Sequence, residues 1–331
     1  MSGTLVDDDL RRRLLRTTGA ASVRGARELQ PLWSGYGSLL RVALEGGSHP
    51  SVIVKRVRFP ARVEHPRGWH GASGDARKRR SYAVETRFYA TRVRARQGNW
   101  TVPAPLAVET SDDGPRLILE DLGTRFPHLA SGLDERSVLP CLDWLAAFHA
   151  EHLGDAAGDL WPRGCYWDLS TRAEELRAMP DGPHRRHARS LADALDGARH
   201  RTLVHGDAKV ANFLFDGARR RVAAVDFQYV GGGPGIRDVA YLFGSCLSVD
   251  VLEAHAEALL DRYGRSLEAA LATLRPGVEA RGVVREWRAL YPIAWADFER
   301  FLLGWAPGHP KLTRYGAALS RRAFATLTSS R

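Results

Sequence analysis

Hydrophobic positions along this chain change their period between its front and its back. In the front they come in short runs. Residues 29–33 form one apolar-rich segment, residues 39–44 alternate, and residues 51–57 (SVIVKRV) form a β-branched run holding one lysine. All three read as strands. Residues 103–108 and 116–120 read as two more, around a Ser111-Asp112-Asp113-Gly114 turn. Residues 77–96 follow a helical pattern, with Val84, Phe88 and Val93 on an approximate apolar face. A connector at residues 58–78, rich in Pro, Gly and Trp, leads into that helix. A short helix at residues 9–16, behind the acidic Asp7-Asp8-Asp9 run, opens the chain and is expected to be peripheral.

From residue 138 the pattern is helical. Residues 138–152 place Leu139, Leu142, Leu145, Ala146 and Phe148 broadly on one side. Further helical patterns cover residues 174–201, broken between Pro180 and Pro183, and residues 251–263, 283–304 and 315–327. One stretch interrupts them. Residues 204–241 read as a short apolar strand, a polar loop, a two-strand return and a second polar loop. The elements predict an α+β chain in three parts. Residues 1–26 form an N-terminal extension, 27–121 a small antiparallel sheet with one long helix, and 122–331 a larger, mostly helical part.

Composition narrows the class. At 331 residues the chain can bury a substantial core, and 44% apolar with 26% charged residues is ordinary for a globular protein. Cys141, Cys165 and Cys246 are far apart, which argues against a zinc site or a disulfide framework and suits a reducing compartment. The first residues, MSGTLVDDDLRRRLLR, hold no apolar core of a signal peptide, and no run approaches the roughly 18 residues of a membrane span. A cytoplasmic protein with no membrane partner is expected. The net charge of +10 is uneven: residues 1–120 carry 21 Lys and Arg against 12 Asp and Glu. Lys55, Lys78, Lys209 and Lys311 are the only lysines, so the excess is arginine and reads as a solvated surface, with no nucleic-acid partner expected.

Candidate chemistry concentrates in the stretch that breaks the helical pattern. VHGDAKVANFLF puts Asp207, Lys209 and Asn212 at fixed offsets behind His205, and Asp226 ends the apolar run 222–225. A carboxylate, a cation, an amide and a second carboxylate on neighbouring loops are what phosphoryl transfer needs. Upstream, Ser34-Gly35-Tyr36-Gly37-Ser38 separates two strands, and glycines there let backbone N–H groups approach a phosphate while Ser38 adds a hydroxyl. Lys55 either lies at a sheet edge or points to a phosphate, and the second reading asks for a Glu on the following helix; Glu85 is the candidate, with an ion pair to a neighbouring Arg as the competing role. His149 and His152, spaced i, i+3, lack further ligands and read as packing residues. Residues 160–167 form an aromatic loop of unassigned role. Gly231-Gly232-Gly233-Pro234-Gly235 reads as a flexible loop, and Asp238 as the N-cap of the next helix.

The offsets His205-x-Asp207-x-Lys209-x-x-Asn212 resemble the protein-kinase catalytic loop, and Asp226-Phe227 stands where those chains carry Asp-Phe-Gly. His205-Gly206-Asp207 is similar to the small-molecule kinases: aminoglycoside phosphotransferases, choline kinase and the ecdysteroid-kinase-like group. HPRGW, then Arg77-Lys78, then SYAVETRFY look like the choline-kinase-like and ecdysteroid-kinase-like branch. The resemblance spans residues 28–305 and implies a bilobal protein-kinase-like fold. It implies transfer of the γ-phosphoryl group of ATP to a hydroxyl of a small-molecule acceptor, with Mg²⁺. Asp207 would be the base, Lys209 would neutralise the moving group, and Asn212 and Asp226 would hold the metal. Lys55, positioned by Glu85, would grip the α/β-phosphates beside Ser38, and Glu120 with Leu122 would line the adenine hinge. Asp238 would support the catalytic loop, and Trp295 or Asp297 would be acceptor-side candidates. Two departures stand out: Gln228 replaces the glycine of Asp-Phe-Gly, and the Gly231–Gly235 loop is too short and phosphosite-poor for a switched protein kinase.

Two other classes remain in play. A non-catalytic nucleotide-binding protein would be expected to lack the base, the metal carboxylate or the strand lysine, and candidates for all three are present. A nucleic-acid binder would use the basic front and show steep salt dependence. Neither the acceptor nor the oligomeric state is legible in the sequence.

Overall fold

The computed structural model describes residues 5–60, 72–93 and 100–329, without the side chains of Ser34, Ala72 and Ser73. Residues 61–71 of the expected connector, HPRGW included, and 94–96 of the expected helix end lie outside the described residues. The chain forms two compact units: Met1–Gln97 with Val102–Arg125, and Gly98–Thr101 with Phe126–Arg331.

The first unit is built on one five-stranded antiparallel sheet. In chain order it contains α1 (Asp8–Thr18), β1 (Ser22–Pro31), β2 (Gly37–Glu45), β3 (Ser51–Val57), α2 (Ala72–Thr91), β4 (Pro105–Glu109) and β5 (Arg116–Glu120). The strand order is β1-β2-β3-β5-β4. β2 keeps the alternation visible in its sequence, burying Leu40, Val42 and Leu44. Helix α1 is not peripheral. Leu10 and Leu14, one turn apart, are fully buried with Leu40, Val42, Val52, Val54 and Ile118. Asp7 starts the helix by accepting the Leu10 N–H at 2.9 Å, and Gly19 ends it at φ 67°. On α2, Val84 and Phe88 are buried as the periodicity predicts.

The second unit is mostly helical. It holds α3 (Leu139–Glu151), α4 (Ala173–Ala178), α5 (Pro183–Asp196), two short ribbons, α6 (Ile236–Cys246), α7 (Val249–Leu274), α8 (Ala280–Trp305) and α9 (Arg314–Ser329). Helix α8 is the central member: α4, α5, α6, α7 and α9 all pack on it, and α3 packs on α7. Burial follows. Trp295 and Asp297 on α8 are enclosed, the carboxylate by Arg300 at 2.8 Å, Trp167 at 3.1 Å and Arg237 at 3.3 Å, so both lie within the helical packing.

The ribbons are β6 (Thr202–Val204) with β9 (Gly231–Gly233), and β7 (Phe213–Phe215) with β8 (Val222–Ala224). The glycine run is therefore a buried strand and not a flexible loop. The backbone of residues 161–164 packs directly on it: the Gly232 N–H donates to Trp161 O at 3.0 Å and the Gly164 N–H to Gly232 O at 2.9 Å. A Cβ on Gly231 would collide with the Trp161 carbonyl. All three cysteines are free and buried, and among the described residues no helix is long and apolar enough to cross a membrane.

Candidate active site

The polar loop leaves β6 at Val204 and returns as β7 at Phe213, through a 3-10 turn at Val210–Asn212. Its geometry is set by Gly206, at φ 77°. A Cβ there would collide with the Tyr229 carbonyl, which accounts physically for glycine between His205 and Asp207. We expect Gly206→Ala to destabilise the fold by about 1–3 kcal/mol, the usual cost of a forced backbone conformation. Denaturant unfolding checks it; an unchanged midpoint would show that the loop yields freely.

Asp207, Lys209 and Asn212 come together on this loop. Asp207 is 5% exposed, and its Oδ2 accepts from Lys209 Nζ and Asn212 Nδ2, both at 3.1 Å. Asn212 Nδ2 also donates to the Asp207 carbonyl at 2.8 Å, so the amide oxygen is the atom Asn212 offers to a cation. His205 Nδ1 accepts the Asp207 N–H at 3.3 Å and Nε2 donates to Val225 O at 3.1 Å, tying this loop to the strand before Asp226. Asp226 follows β8 at φ 69°, a left-handed conformation rare outside glycine and costly enough to suggest a demand on its position. Its Oδ1 accepts Gln228 Nε2 at 2.7 Å.

Charge couples these groups. Burial pushes the Asp207 carboxyl above its ordinary value, with the Asp226 charge adding to the effect and Lys209 opposing it. Burial works against the Lys209 ammonium, but Asp207 and Asp226 outweigh it and raise its pKa. Among the described residues no group of three or more His, Cys, Asp and Glu side chains forms a metal site. The hard oxygens of Asn212 and Asp226 still suit Mg²⁺, which takes few protein ligands.

Asp238 is the anchor under the loop. The cap of α6 is Gly235, not Asp238. The Asp238 carboxylate instead turns back to accept the His205 N–H at 2.6 Å, the Gly206 N–H at 2.9 Å and His149 Nε2 at 3.1 Å. His149, fully buried, takes the Tyr263 hydroxyl on Nδ1 at 2.8 Å. The aromatic loop acts from the other side: the Tyr166 N–H donates to Gly206 O at 2.8 Å and Trp161 Nε1 to Gln228 O at 2.8 Å. His149 and the aromatic loop carried no spacing signal, because their partners are backbone groups or residues far along the chain.

In the first unit, Lys55 on β3 and Glu85 on α2 meet at 2.6 Å, with 7% and 3% exposure. Ser38 does not join them. In register it opposes Arg56, whereas Leu39 opposes Lys55, so Ser38 sits on the other face of the sheet. Tyr36 is buried against Tyr82 and donates to Asp75. Glu120 is held by Arg125 at 2.7 Å and by the Ala104 N–H at 3.3 Å. Leu122 is buried, and its carbonyl accepts the Arg125 N–H at 3.0 Å. Asp121 caps that turn through Gly123 and pairs with Arg41 at 2.7 Å.

Comparison with known proteins bears on the fold. The choline kinase from Cryptosporidium parvum Iowa II superposes with a TM-score of 0.54 at 9% identity, over 93% of this chain and 89% of that one. The chain has the protein-kinase-like fold of the small-molecule kinases. The model of the ecdysteroid kinase-like family matches residues 167–275, a third of the chain that includes the whole loop region. Similar solved structures also include a microcompartment-associated aminopropanol kinase, with 17% identity, TM-score 0.47 and coverage of 98% and 95%. A GDP complex of aminoglycoside 2'-phosphotransferase-IIIa matches at 12% identity, TM-score 0.48 and coverage of 95% and 96%. No curated protein sequence matches significantly.

Proposed function

We propose that the protein is an ATP- and Mg²⁺-dependent phosphotransferase that moves the γ-phosphoryl group to a hydroxyl of a small molecule. The observation that carries this reading is the buried Asp207 carboxylate, held by Lys209 and Asn212 on one loop and coupled in charge to Asp226. Asp207 orients the acceptor hydroxyl and takes its proton as the new O–P bond forms and ADP leaves. Lys209 balances negative charge next to that proton transfer. Asn212 Oδ1 and the Asp226 carboxylate are the oxygens for the metal, which supplies charge neutralisation when bound. In the first unit the Lys55 ammonium, fixed by Glu85, is the group for the α/β-phosphates. The backbone around Glu120 and Leu122 is the place for adenine. Ser38 has no part in this assignment, because its face of the sheet is the wrong one. Three buried, unpaired thiols suit a reducing compartment, and we place the reaction in the cytoplasm.

Thermal unfolding with and without Mg-ATP tests the nucleotide half. A ligand that binds only the folded state adds about 2.7 kcal/mol at a concentration of about 100 Kd. We expect a rise of several degrees in the wild type that needs Mg²⁺ and is lost in Asp226→Asn. No rise at millimolar Mg-ATP, or an equal rise in the variant, would overturn the metal assignment.

One observation favours a non-catalytic nucleotide-binding protein instead. Gln228 Nε2 sits on Asp226 Oδ1, where a metal would compete with it. A Mg-ATP shift without ADP release across an acceptor screen would select that reading.

A further inference from the structure

Lys311 belongs to none of the motifs above. It lies in the loop between α8 and α9, half-buried, with Nζ 5.4 Å from the centre of the Tyr241 ring and 5.8 Å from that of Phe298. Tyr241 lies on α6, which is tied to the catalytic loop where the Ser245 hydroxyl accepts the Val210 N–H at 2.9 Å. Burial, with the Asp207 charge adding to it, holds the phenol far above the ordinary range. Lys311 feels the same neighbours. Burial lowers its pKa, Lys209 lowers it further and Asp207 opposes both.

A lysine over aromatic rings is often only a packing contact. Here the packing account leaves something over. Among the described residues Lys311 Nζ has no carboxylate within 4.0 Å, and its side chain is half-buried. A desolvated ammonium with open donors is costly unless something fills them. Other buried carboxylates of this unit are already engaged: Asp168 by Arg163, Asp297 by Arg237 and Arg300, Glu175 by Arg172 and Glu299 by Ser320. A site for a cationic acceptor wants unspent acids among its aromatics. This one offers a second lysine beside Lys209.

We propose that Lys311 is the acceptor-recognition residue and that the acceptor carries an anionic group, carboxylate or phosphate, near its reacting hydroxyl. This deepens the phosphotransferase reading and rests on it. Lys311 would bind the anion and so orient the hydroxyl toward Asp207, while repelling amino alcohols of the same size.

The test uses two matched probes on the full chain with Mg-ADP, 3-phenyllactate and phenylalaninol, which differ in carboxylate against ammonium. Calorimetric titration is expected to give tighter binding of phenyllactate. Lys311→Met should weaken that binding about ten- to a hundredfold, the worth of one charge-assisted hydrogen bond. Lys311→Arg should keep the preference and Lys311→Glu should reverse it, a charge dependence that a packing role would not produce. Unfolding midpoints without probe identify any variant that fails to fold, and the remaining variants then decide. Tighter binding of phenylalaninol, binding of neither probe, or a preference indifferent to the charge at position 311 would overturn the proposal. ADP release separates it from the reading beneath it. Release driven only by amino alcohols would sink the Lys311 assignment and leave the phosphotransferase standing. Lys311-dependent binding with no release from any hydroxy acid or other alcohol would do the reverse.

Discussion

Asp207→Asn is expected to lower phosphoryl transfer by about 10²–10⁴-fold, the usual contribution of a positioned base, while leaving the Mg-ATP thermal shift in place. The variant keeps the shape of the side chain and the Lys209 contact but cannot accept the proton. Unfolding cannot explain such a loss. The Asp207 pKa is raised in the fold, so its ionised form is disfavoured there relative to the unfolded chain. Its stabilising share is complete only below the unfolded value and is lost as pH rises through the folded one. At neutral pH the charge is therefore a net cost, and the Asn variant should unfold no earlier than the wild type. The same shift sets the pH dependence of the reaction. The acid limb of kcat/KM should lie above the ordinary carboxylate range, chiefly because Asp207 is buried. Lys209 pulls that pKa down, so Lys209→Met should move the limb to higher pH. Undiminished turnover by Asp207→Asn would remove Asp207 as the base.

How much of this was legible follows from what each element uses to hold itself. Strands β2, β3 and β5 were readable because alternating or β-branched runs report burial directly, and the Lys55–Glu85 pair was readable because a lone lysine in such a run needs a partner. The polar loop was readable from spacing, since Asp207, Lys209 and Asn212 meet within eight positions of His205. Strand β1 begins at Ser22, well before the apolar segment at residues 29–33, because most of its side chains are exposed and leave no alternation. Strand β9 was unreadable in principle: three glycines carry no hydrophobic signal, and what selects them is the approach of the 161–164 backbone. Helix α7 runs to Leu274 because Leu267 and Leu271 extend its buried stripe past Tyr263. The Ser38 expectation failed on parity. One residue along a strand reverses the face, and position near a glycine turn does not specify which face that is. Of the two roles expected of Asp238, support of the loop through hydrogen bonds is seen, while the N-cap is Gly235, three residues earlier.

Asp238→Ala carries the largest expected cost in stability. The carboxylate accepts two loop amides and His149 Nε2 inside a fully buried cluster. Removing it strands three donors, each worth about 1–3 kcal/mol when left unmade. These costs overlap, and we expect a loss of about 3–5 kcal/mol by denaturant unfolding, in the range for breaking a buried charged cluster. Asp238→Asn should recover part of this, because its amide oxygen can still accept one N–H while its NH₂ faces the other donor. Both variants should lower kcat more than the KM for Mg-ATP, since the damage falls on the His205–Asp207 turn and not on Lys55. The cluster also sets an acid limit. Burial depresses the His149 pKa, and Asp238 only partly offsets this. With the folded value below the unfolded one, the stability from neutral His149 is present above pH ~6.5 and is lost as pH falls through the folded value, at up to about 1.4 kcal/mol per pH unit. His149→Gln should flatten that acid slope. An acid slope unchanged by His149→Gln, with Asp238→Ala as stable as the wild type, would show that the catalytic loop does not depend on this anchor.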